Sequence, residues 1–586
     1  MDFFSILSLI GGLALFLYGM DMMGESLKKL SGGKLESILG KLTANRFKGF
    51  MLGLFVTAII QSSSASTVML VGFVNSGIMK LAQTISIIMG ANVGTTVTSW
   101  LLSLTGISGD SFFVTLLKPS SFTPILAAVG VIMIMAAKND KRKNIGGILV
   151  GFAILMFGME TMSDSVSGLK DSATFGKILV MFSNPIMGIL SGTILTAIIQ
   201  SSSASVGILQ ALSSTGAIPF STAIPVILGQ NIGTTITPII SALNGNTDSK
   251  RVAFSCLYIK IIGVVIVSVA FYILHYFLNF AFMETRVDVL TIAIVHTLFN
   301  IISTVILIPF CNLIEKLAIK TIKASKQADE EISDNLNTLD ERFLSLPSFA
   351  VEKCRELVAE MTKITVKSIA DASELLDNFN PEEYEKLRET ENTVDRYEDK
   401  IGSYLVKLAS HDLNVTDGKK VTELLHIIGD IERISDHSVN IAKTAYEIDE
   451  KNIAFSTLAS REIEILRNAV IEILEITKDA FVGDDEELAK KVEPLEQAID
   501  RLKKKIKNNH IARLREGECT VELGFILSDL LNNYERIADH CSNIAACILG
   551  INIDSFETHE YLNHVKNDGA NDFFKTYSYY KTKYEI

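Results

Sequence analysis

A polar hexapeptide that occurs twice within apolar sequence is the feature that most restricts how this chain can fold. The letters QSSSAS at residues 61–66 return unchanged at residues 200–205, an offset of 139 residues. Two further motifs keep this offset: GANVGTT at 90–96 with GQNIGTT at 229–235, and a glycine pair, Gly12 and Gly19, with Gly151 and Gly158. Three gapless correspondences at one spacing indicate an internal duplication.

The chain of 586 residues changes character about halfway along. Apolar runs fill it up to about Cys311, and they reach the roughly 20 residues that cross a bilayer. Charged residues dominate from Lys320 onward and account for most of the net charge of −12, which argues against nucleic-acid binding. The six cysteines have no CxxC spacing, so we expect reduced thiols. The run from Phe3 to Met23 has no basic stretch before it, and we expect a retained span.

Basic loops predict the orientation of the spans. We expect spans at 3–23, within 50–105 and at 122–137, the repeats of the first two, and a hairpin of two spans at about 252–280 and 289–313. The basic residues then all fall on one side: Lys28, Lys29, Lys34, Lys41, Arg46 and Lys48, then 138–143, then Lys250 and Arg251, then Lys316, Lys320, Lys323 and Lys326. The positive-inside bias assigns that side to the cytoplasm and the N-terminus to the outside of the cytoplasmic membrane. The second copy then starts on the opposite side from the first, so the duplication is predicted to be inverted.

The polar inserts predict broken helices. A serine cluster in hydrocarbon needs partners, because each unsatisfied polar group there costs several kcal/mol. A break frees backbone groups, which is tolerable only where they line a cavity. We expect a second break in each copy at the glycine-rich motif. Four half-helix ends would then meet near the middle of the membrane.

The charges around these motifs suggest what such a site binds. Residues 196–245 contain no Asp, Glu, Lys or Arg, and residues 57–105 contain only Lys80, which we place in a turn. Half-helix N-termini bind small oxyanions without arginine. Neutral donors alone would bury the charge at large cost, so we expect a co-bound monovalent cation held by carbonyls, hydroxyls and the amide oxygens of Asn92 or Asn231. Each ion then raises the affinity for the other.

The paired QSSS and Gly-x-Asn-x-Gly-Thr-Thr motifs resemble those of the sodium/phosphate cotransporter family, the type II family and its bacterial relatives, over about residues 1–315. The resemblance implies transport of inorganic phosphate with Na⁺ as the co-transported ion. By matching position it assigns substrate and sodium binding to Gln61, Ser62, Ser63, Ser64, Gln200, Ser201, Ser202 and Ser203, and more loosely to Asn92, Thr95, Thr96, Asn231, Thr234 and Thr235.

The second half contains another duplication. ERISDHSVNIA at 432–442 returns as ERIADHCSNIA at 535–545, an offset of 103 residues. Apolar residues at helical spacing, such as Ile431, Ile434, Val439 and Ile441 or the run 463–470, predict two three-helix units packed together. This half resembles PhoU, a helical regulator of phosphate uptake.

Acidic residues on one helix face suit a metal ion. The candidates in the second half are Glu432, Asp436, Glu535 and Asp539, completed by Glu391, Asp395, Glu496 and Asp500. The alternative is that Arg433 and Arg536 pair with these acids on a solvated face. His437 and His540 are either metal ligands or hydrogen-bonding residues between helices.

Other polar residues of the first half have ordinary interpretations beside functional ones. Asp21 and Glu160, and Glu25 and Asp164, are mirrored acids that either couple ions or lie at the interface. His296 and Asn300 share a helix face, which favours a hydrogen bond between helices over a gate or a proton pathway. No nucleophile–base pairing, Walker loop or HExxH motif is present, so an enzyme is not expected.

The sequence thus predicts an all-α protein: a polytopic membrane domain of two inverted repeats with broken or re-entrant helices, and a cytoplasmic PhoU-like helical bundle. The predicted boundaries are 1–315 for the membrane domain (repeats at about 3–137 and 145–280), 316–340 for a linker, 341–555 for the helical domain and 556–586 for a poorly ordered tail. The expected partners are inorganic phosphate, membrane lipid, and a second copy or a regulatory protein at the helical domain.

The predicted function is sodium-coupled phosphate transport by alternating access. The alternative is a membrane-bound phosphate sensor without net transport. Two complete polar motifs favour transport, but the donors alone suit sulfate and arsenate as well. An importer and an exporter would share this sequence pattern.

Overall fold

The computed structural model describes residues 3–31, 45–107, 118–137, 139–323, 335–411, 413–550 and 570–586. Helices make up the regular structure of these residues, apart from an isolated antiparallel bridge between Pro219 and Arg286. The all-α prediction is therefore confirmed. The chain divides into two compact units, Met1–Phe349 and Ala350–Ile586, each described by itself below. Lys34, Lys41, Lys138 and Lys326 lie outside the described residues. So do residues 108–117 between two predicted spans, 324–334 in the predicted linker, and 551–569 at the end of the predicted helical domain and in the predicted tail.

The first unit contains fifteen α-helices in its described residues. In chain order they are α1 (Phe3–Ser31), α2 (Arg46–Ile60), α3 (Ser63–Asn75), α4 (Leu81–Gly94), α5 (Thr96–Ser103), α6 (Pro119–Ala136), α7 (Asp140–Val166), α8 (Ala173–Phe182), α9 (Pro185–Ile199), α10 (Ser202–Ser213), α11 (Phe220–Gly233), α12 (Ile236–Ala242), α13 (Thr247–Leu278), α14 (Val289–Leu307) and α15 (Cys311–Thr321).

Seven spans of the described residues are long and apolar enough to cross a membrane. An eighth results if the pair α8 and α9, bent by 103°, counts as one. The first unit is therefore a multi-pass membrane domain. The span predicted at 3–23 is too short, because α1 continues to Ser31.

The duplication is visible in the order of the elements. Helices α2 to α5 of repeat 1 correspond to α9 to α12 of repeat 2, with the same interruptions at the same positions. Contacts are exchanged between the copies, because α3 packs against α12 while the equivalent α10 packs against α5. The two repeats therefore interlock rather than forming separate bundles.

The repeated glycines of α1 and α7 bring these two equivalent helices together. A Cβ at Gly12 would lie 3.1 Å from the Gly158 carbonyl oxygen, and one at Gly19 would lie 2.7 Å from the Gly151 carbonyl oxygen. Gly12 faces Gly158 and Gly19 faces Gly151, so the two helices run antiparallel. Because Gly12 matches Gly151 and Gly19 matches Gly158, exchanging the repeats leaves the contact unchanged.

Residues beyond the predicted membrane boundary also pack on the first unit. The 3₁₀ turn Glu341–Ser345 places the Phe343 ring 5.3 Å from that of Phe73 on α3. Asn75 at the end of α3 donates to Asp340, at 2.7 Å. The packed part of this unit therefore extends into the segments predicted as linker and as helical domain.

The second unit is a bundle of long amphipathic helices. They are α16 (Pro347–Glu374, from Ala350 onward in this unit), α17 (Pro381–Ala409), α18 (Val415–Glu450), α19 (Thr457–Gly483), α20 (Glu486–Ala489), α21 (Val492–Arg515), α22 (Val521–Ile548) and α23 (Ala570–Lys583). The two copies meet where α18 packs on α22. Ile431, Ile434, Leu466 and Val470 are buried, as their helical spacing predicts.

The prediction of a poorly ordered tail is wrong for residues 570–583, which form α23 and pack against α21. Phe573, Tyr580 and Tyr584 are buried. Tyr584 donates to Glu472, and Lys583 lies 2.8 Å from the same carboxylate. The spacings of seven and four residues place these three side chains on one face, so the tyrosine-rich segment is amphipathic.

Candidate binding site in the membrane domain

The hexapeptides break their helices through one glutamine each. Gln61 ends α2 with φ 60° and ψ 19°, and Gln200 ends α9 with φ 60° and ψ 15°. The backbone N–H of each glutamine still bonds to a threonine carbonyl four residues earlier, Thr57 and Thr196. A left-handed residue at this position terminates a helix. The break that the polar cluster predicts is confirmed in both copies.

The serines that follow start new helices. Ser62 and Ser201 have extended backbones, and their hydroxyl oxygens accept from the N–H groups of Ala65 and Ala204 at 3.1 and 3.2 Å. They are N-caps in the usual sense, which leaves the other first-turn N–H groups of α3 and α10 without helical partners. Each hexapeptide thus supplies a helix N-terminus with a partial positive charge, the end that favours anions.

One threonine connects the two hexapeptides. The Thr98 hydroxyl on α5 donates to the Gln61 side-chain oxygen at 2.8 Å and accepts from the Ser203 hydroxyl at 3.3 Å. All three side chains are buried. The QSSS segments of repeat 1 and repeat 2 are therefore brought to one place, which the sequence predicted without identifying Thr98.

The prediction of a second full break at the glycine-rich motif is wrong. Thr95 and Thr234, between the paired helices, keep right-handed helical backbones, and α4 and α5 run on as one span. The glycines serve close packing instead. A Cβ at Gly90 would lie 1.9 Å from the Phe50 carbonyl oxygen, and one at Gly229 would lie 2.0 Å from that of Ile189. The site therefore has two helix breaks, one in each repeat, rather than four.

The threonines of this motif bond within their own helices. The hydroxyls of Thr95, Thr96, Thr234 and Thr235 donate to carbonyl oxygens three or four residues earlier, at 2.7 to 3.1 Å. Their oxygens can still accept a hydrogen bond or coordinate a cation. Asn92 and Asn231 are both buried, and Asn231 donates to the Ile227 carbonyl at 3.0 Å.

A buried lysine that the sequence analysis missed completes this polar region. Lys260 on α13 is 6% exposed, and its ammonium donates to the Asn231 side-chain oxygen at 3.1 Å. The expectation that the protein supplies only neutral groups to the site is therefore wrong. The signal was present as a lone lysine in the middle of a long apolar helix, but it lies outside the two repeated motifs.

Two further polar groups tie the last span to the site region. His296 on α14 lies 3.0 Å from the Ser99 hydroxyl, which confirms the expected hydrogen bond between helices. Asn300 instead donates to the His296 carbonyl in its own helix. Gln210 on α10 donates to the carbonyls of Ser99 and Val289. These bonds hold α5, α10 and α14 together beside Thr98.

The mirrored acids are not part of the buried polar region around Thr98. Asp21, Glu25, Glu160 and Asp164 are exposed. Glu160 and Asp164 line an open cavity of about 540 Å³ at the ends of several helices, together with Lys118 and Arg286. The cavity contains both signs of charge, and no hydrogen bond joins these acids to the QSSS segments in the described residues.

The acidic clusters of the second unit differ from each other. Carboxylate oxygens of Glu391, Asp395 and Asp436 lie within 4.8 Å of one another. Burial, with Asp436 and Asp395 nearby, raises the pKa of Glu432 to about 7. This oxygen-rich cluster fits a hard or borderline cation.

Lysines neutralise the second acidic cluster. Lys503 pairs with Glu535, and Lys504 lies 2.9 Å from Asp500. Burial, with Glu493, Asp500 and Asp539 nearby, raises the pKa of Glu496 to about 8. His437 and His540 bond to Asn533 and Asp430 at 2.8 Å across helices, which is the hydrogen-bonding alternative. Because lysines already neutralise its carboxylates, this cluster fits a metal less well than the first.

A duplicated polar core inside a multi-pass helical domain, joined to a separate helical bundle, is the architecture of a membrane transporter with an attached helical domain. The Na⁺/Pi-cotransporter family model matches residues 15–164 and 154–291, and the PhoU domain model matches residues 358–445 and 463–548. The chain belongs to the Na⁺/Pi-cotransporter family and carries two PhoU repeats in its second half.

Three relatives illustrate the match. The chain is 21% identical over 551 residues to the "Putative inorganic phosphate export protein YjbB" of Salmonella typhimurium, covering 93% of this chain and 97% of that one. It is 30% identical over 307 residues to the uncharacterized protein YqeW of Bacillus subtilis, covering 52% and 93%. It is 36% identical over 99 residues to the sodium-dependent phosphate transport protein 2A of Rattus norvegicus, covering 16% and 15%.

Proposed function

We propose that this protein transports inorganic phosphate across the cytoplasmic membrane, coupled to sodium, with the site at the two QSSS segments. The observation that carries the proposal is the bridge from Gln61 through Thr98 to Ser203, which joins the two helix breaks at one place. Two helix N-termini and several hydroxyls then face one region, the chemistry that a tetrahedral oxyanion needs. The relatives named for phosphate export or sodium-dependent phosphate transport support the same substrate.

The binding residues in this proposal are those of the repeated motifs. First-turn N–H groups at Ser63, Ser64, Ser202 and Ser203, with their hydroxyls, hold the phosphate oxygens. Oxygens of Asn92, Thr95 and Thr96 hold sodium, together with those of Thr234 and Thr235, the equivalents of the two threonines in repeat 2. Because the anion and the cation attract each other inside a low-dielectric site, each binds more tightly in the presence of the other.

Alternating access in this proposal follows from inverted repeats. The contact between α1 and α7, antiparallel and unchanged when the repeats are exchanged, supports that relation. We place the basic loops and the PhoU region in the cytoplasm and the N-terminus outside. The two repeats rock around the shared site and open it to either side in turn. The sodium and phosphate gradients together then set the direction of net movement.

The test is tracer phosphate flux in liposomes that contain the purified protein and a sodium gradient. We expect uphill phosphate accumulation that collapses when the gradient is removed. Ser63→Ala and Ser202→Ala should each lower the flux, since each removes one hydroxyl donor. Phosphate binding without flux in the wild-type protein would contradict transport and would support the sensor alternative. Flux independent of sodium would remove the coupling.

A further inference from the structure

Lys260 is a buried lysine in the middle of an apolar membrane helix. Its ammonium makes one hydrogen bond in the described part of the chain, to the Asn231 side-chain oxygen at 3.1 Å, and no Asp or Glu of that part forms an ion pair with it. A charged group at such depth is costly and marks a functional position by default. The ammonium has three donors, so two remain for another partner.

The face of α13 that carries Lys260 contacts both repeats. One turn earlier on this face, Cys256 is buried and lies near Thr67, which directly follows the QSSSAS segment on α3. Lys260 itself reaches Asn231 on α11, inside the glycine-rich motif of repeat 2. Lys260 therefore lies beside the proposed phosphate and sodium region rather than elsewhere in the membrane domain.

The equivalent position in repeat 1 has no such charge. The residue that matches Lys260 at the offset of 139 is Ser121 on α6. Asn92, which matches Asn231, is 6% exposed, and its side-chain amide makes no hydrogen bond within the described residues. The side-chain oxygen of Asn231 thus already accepts from an ammonium group, whereas that of Asn92 has no cationic partner in the described residues.

We propose that Lys260 is a tethered cation that takes the place of a sodium ion at Asn231, so that Asn92 alone of the two equivalent amides is left for sodium. This inference rests on the sodium-coupled phosphate transport proposed above and sets how many cations the site takes. An ammonium lowers the cost of burying the anion as a sodium ion does. Because it stays with the protein, each cycle carries one sodium ion fewer than two free amides would allow.

The experiment measures ³²P-phosphate uptake into proteoliposomes as a function of sodium concentration. The variants are Lys260→Met, which removes the charge, and Lys260→Arg, which keeps it. Lys80→Met, at an exposed turn, is the control. In Lys260→Met we expect the reaction order of phosphate uptake with respect to sodium concentration to rise by one. Uptake at low sodium should fall about tenfold and recover at high sodium, within the usual range of coupling between ligands. Lys260→Arg and Lys80→Met should keep the wild-type order.

A second variant keeps the inference testable if Lys260→Met does not fold. Lys260→Gln removes the charge but keeps a polar side chain of similar length, so the same rise in the reaction order with respect to sodium is expected. An unchanged order in every folded variant that loses the charge overturns the inference. So does a loss of phosphate affinity that no sodium concentration restores, which would make Lys260 a direct phosphate ligand.

The same data separate the two proposals. Sodium-dependent uptake by the wild type with an unchanged order in Lys260→Met leaves the proposed function standing and removes the tethered cation. Wild-type uptake that ignores sodium overturns both. A rise of one in Lys260→Met alone supports both.

Discussion

The two copies of QSSSAS have the same backbone but different surroundings. Gln61 is 7% exposed and the three serines after it are half-buried, whereas Gln200 is exposed and Ser202 and Ser203 are buried. The hydroxyl of Thr57 bonds to that of Ser66 at 2.9 Å, while the matching hydroxyls of Thr196 and Ser205 have no partner in the described residues. The identical sequences therefore determine the helix break but not the contacts of the side chains.

The difference comes from the helices that follow each hexapeptide. In repeat 2 the next long helix, α13, crosses over to pack against α3 and α4 of repeat 1 and carries Lys260 with it. Its counterpart α6 packs chiefly against α7. A carrier that alternates between two sides needs two unequal arrangements of equivalent halves, which exchange when the site changes sides. The inequality of the two copies suits that requirement.

The PhoU repeats give the same contrast. Each has an ERxxDH motif, yet one acidic cluster has its carboxylates drawn together and the other is neutralised by Lys503 and Lys504. In both halves of the chain, duplication supplies matching residues and the surroundings make them unequal.

The largest expected effect concerns the close helix packing that the two repeats share. Gly90→Ala and Gly229→Ala should destabilise the membrane domain to a similar degree, by about 3 kcal/mol, because each methyl would collide with a backbone carbonyl. Gly11→Ala, where nothing lies within 4 Å, is the control. The measurement is the unfolding temperature of the purified protein in detergent. Tolerance of one change but not the other would show that the copies differ in packing too.

The next prediction tests where the copies differ. Thr98→Val leaves the Gln61 oxygen without its donor and Ser203 without its acceptor, a cost of about 1–3 kcal/mol. The matching change, Thr237→Val, should be near neutral, since that hydroxyl has no partner in the described residues. Unfolding temperature and phosphate flux should both separate the two variants. Equal losses would mean that the bridge through Thr98 contributes no more than the unpartnered hydroxyl of Thr237.

A smaller effect is expected in the acidic clusters. Asp395→Asn should weaken binding of Mn²⁺ about tenfold or more, because it removes a carboxylate from the cluster that fits a cation. Asp500→Asn should leave Mn²⁺ binding unchanged. Electron paramagnetic resonance of Mn²⁺ titrated into the full-length protein gives both affinities. Equal weakening would show that the lysines of the second cluster yield to the metal.

The smallest effect concerns pH. The pKa of Glu432 is raised to about 7, above the ordinary value of 4.5, so the folded protein binds this proton more tightly than the unfolded chain. Stability from this group is therefore present below about pH 4.5 and is lost as pH rises to about 7. Glu432→Gln should slow hydrogen exchange in α18 at pH 8 and change it little at pH 4.5. Slower exchange by the same factor at both pH values would contradict the raised pKa.

The sequence predicted those parts of the site that depend on local chemistry. A glutamine and three serines in hydrocarbon predicted the helix breaks, and helical spacing predicted the core of the bundle. The glycine-rich motif was misinterpreted, because the same glycines suit a break or a close helix crossing and only the opposing carbonyls of Phe50 and Ile189 decide between them. Lys260 was missed because charges were counted within the motifs, whereas the partner of Asn231 comes from a later helix.

The central claim is that two helix breaks form one site, and equilibrium binding of ³²P-phosphate to the purified full-length protein tests it most directly. Binding is measured in saturating sodium for the wild type, Ser63→Ala and Ser203→Ala. The account predicts one phosphate per chain, with its affinity lowered by either change. Two phosphates per chain, each weakened by a change in only one repeat, would contradict it.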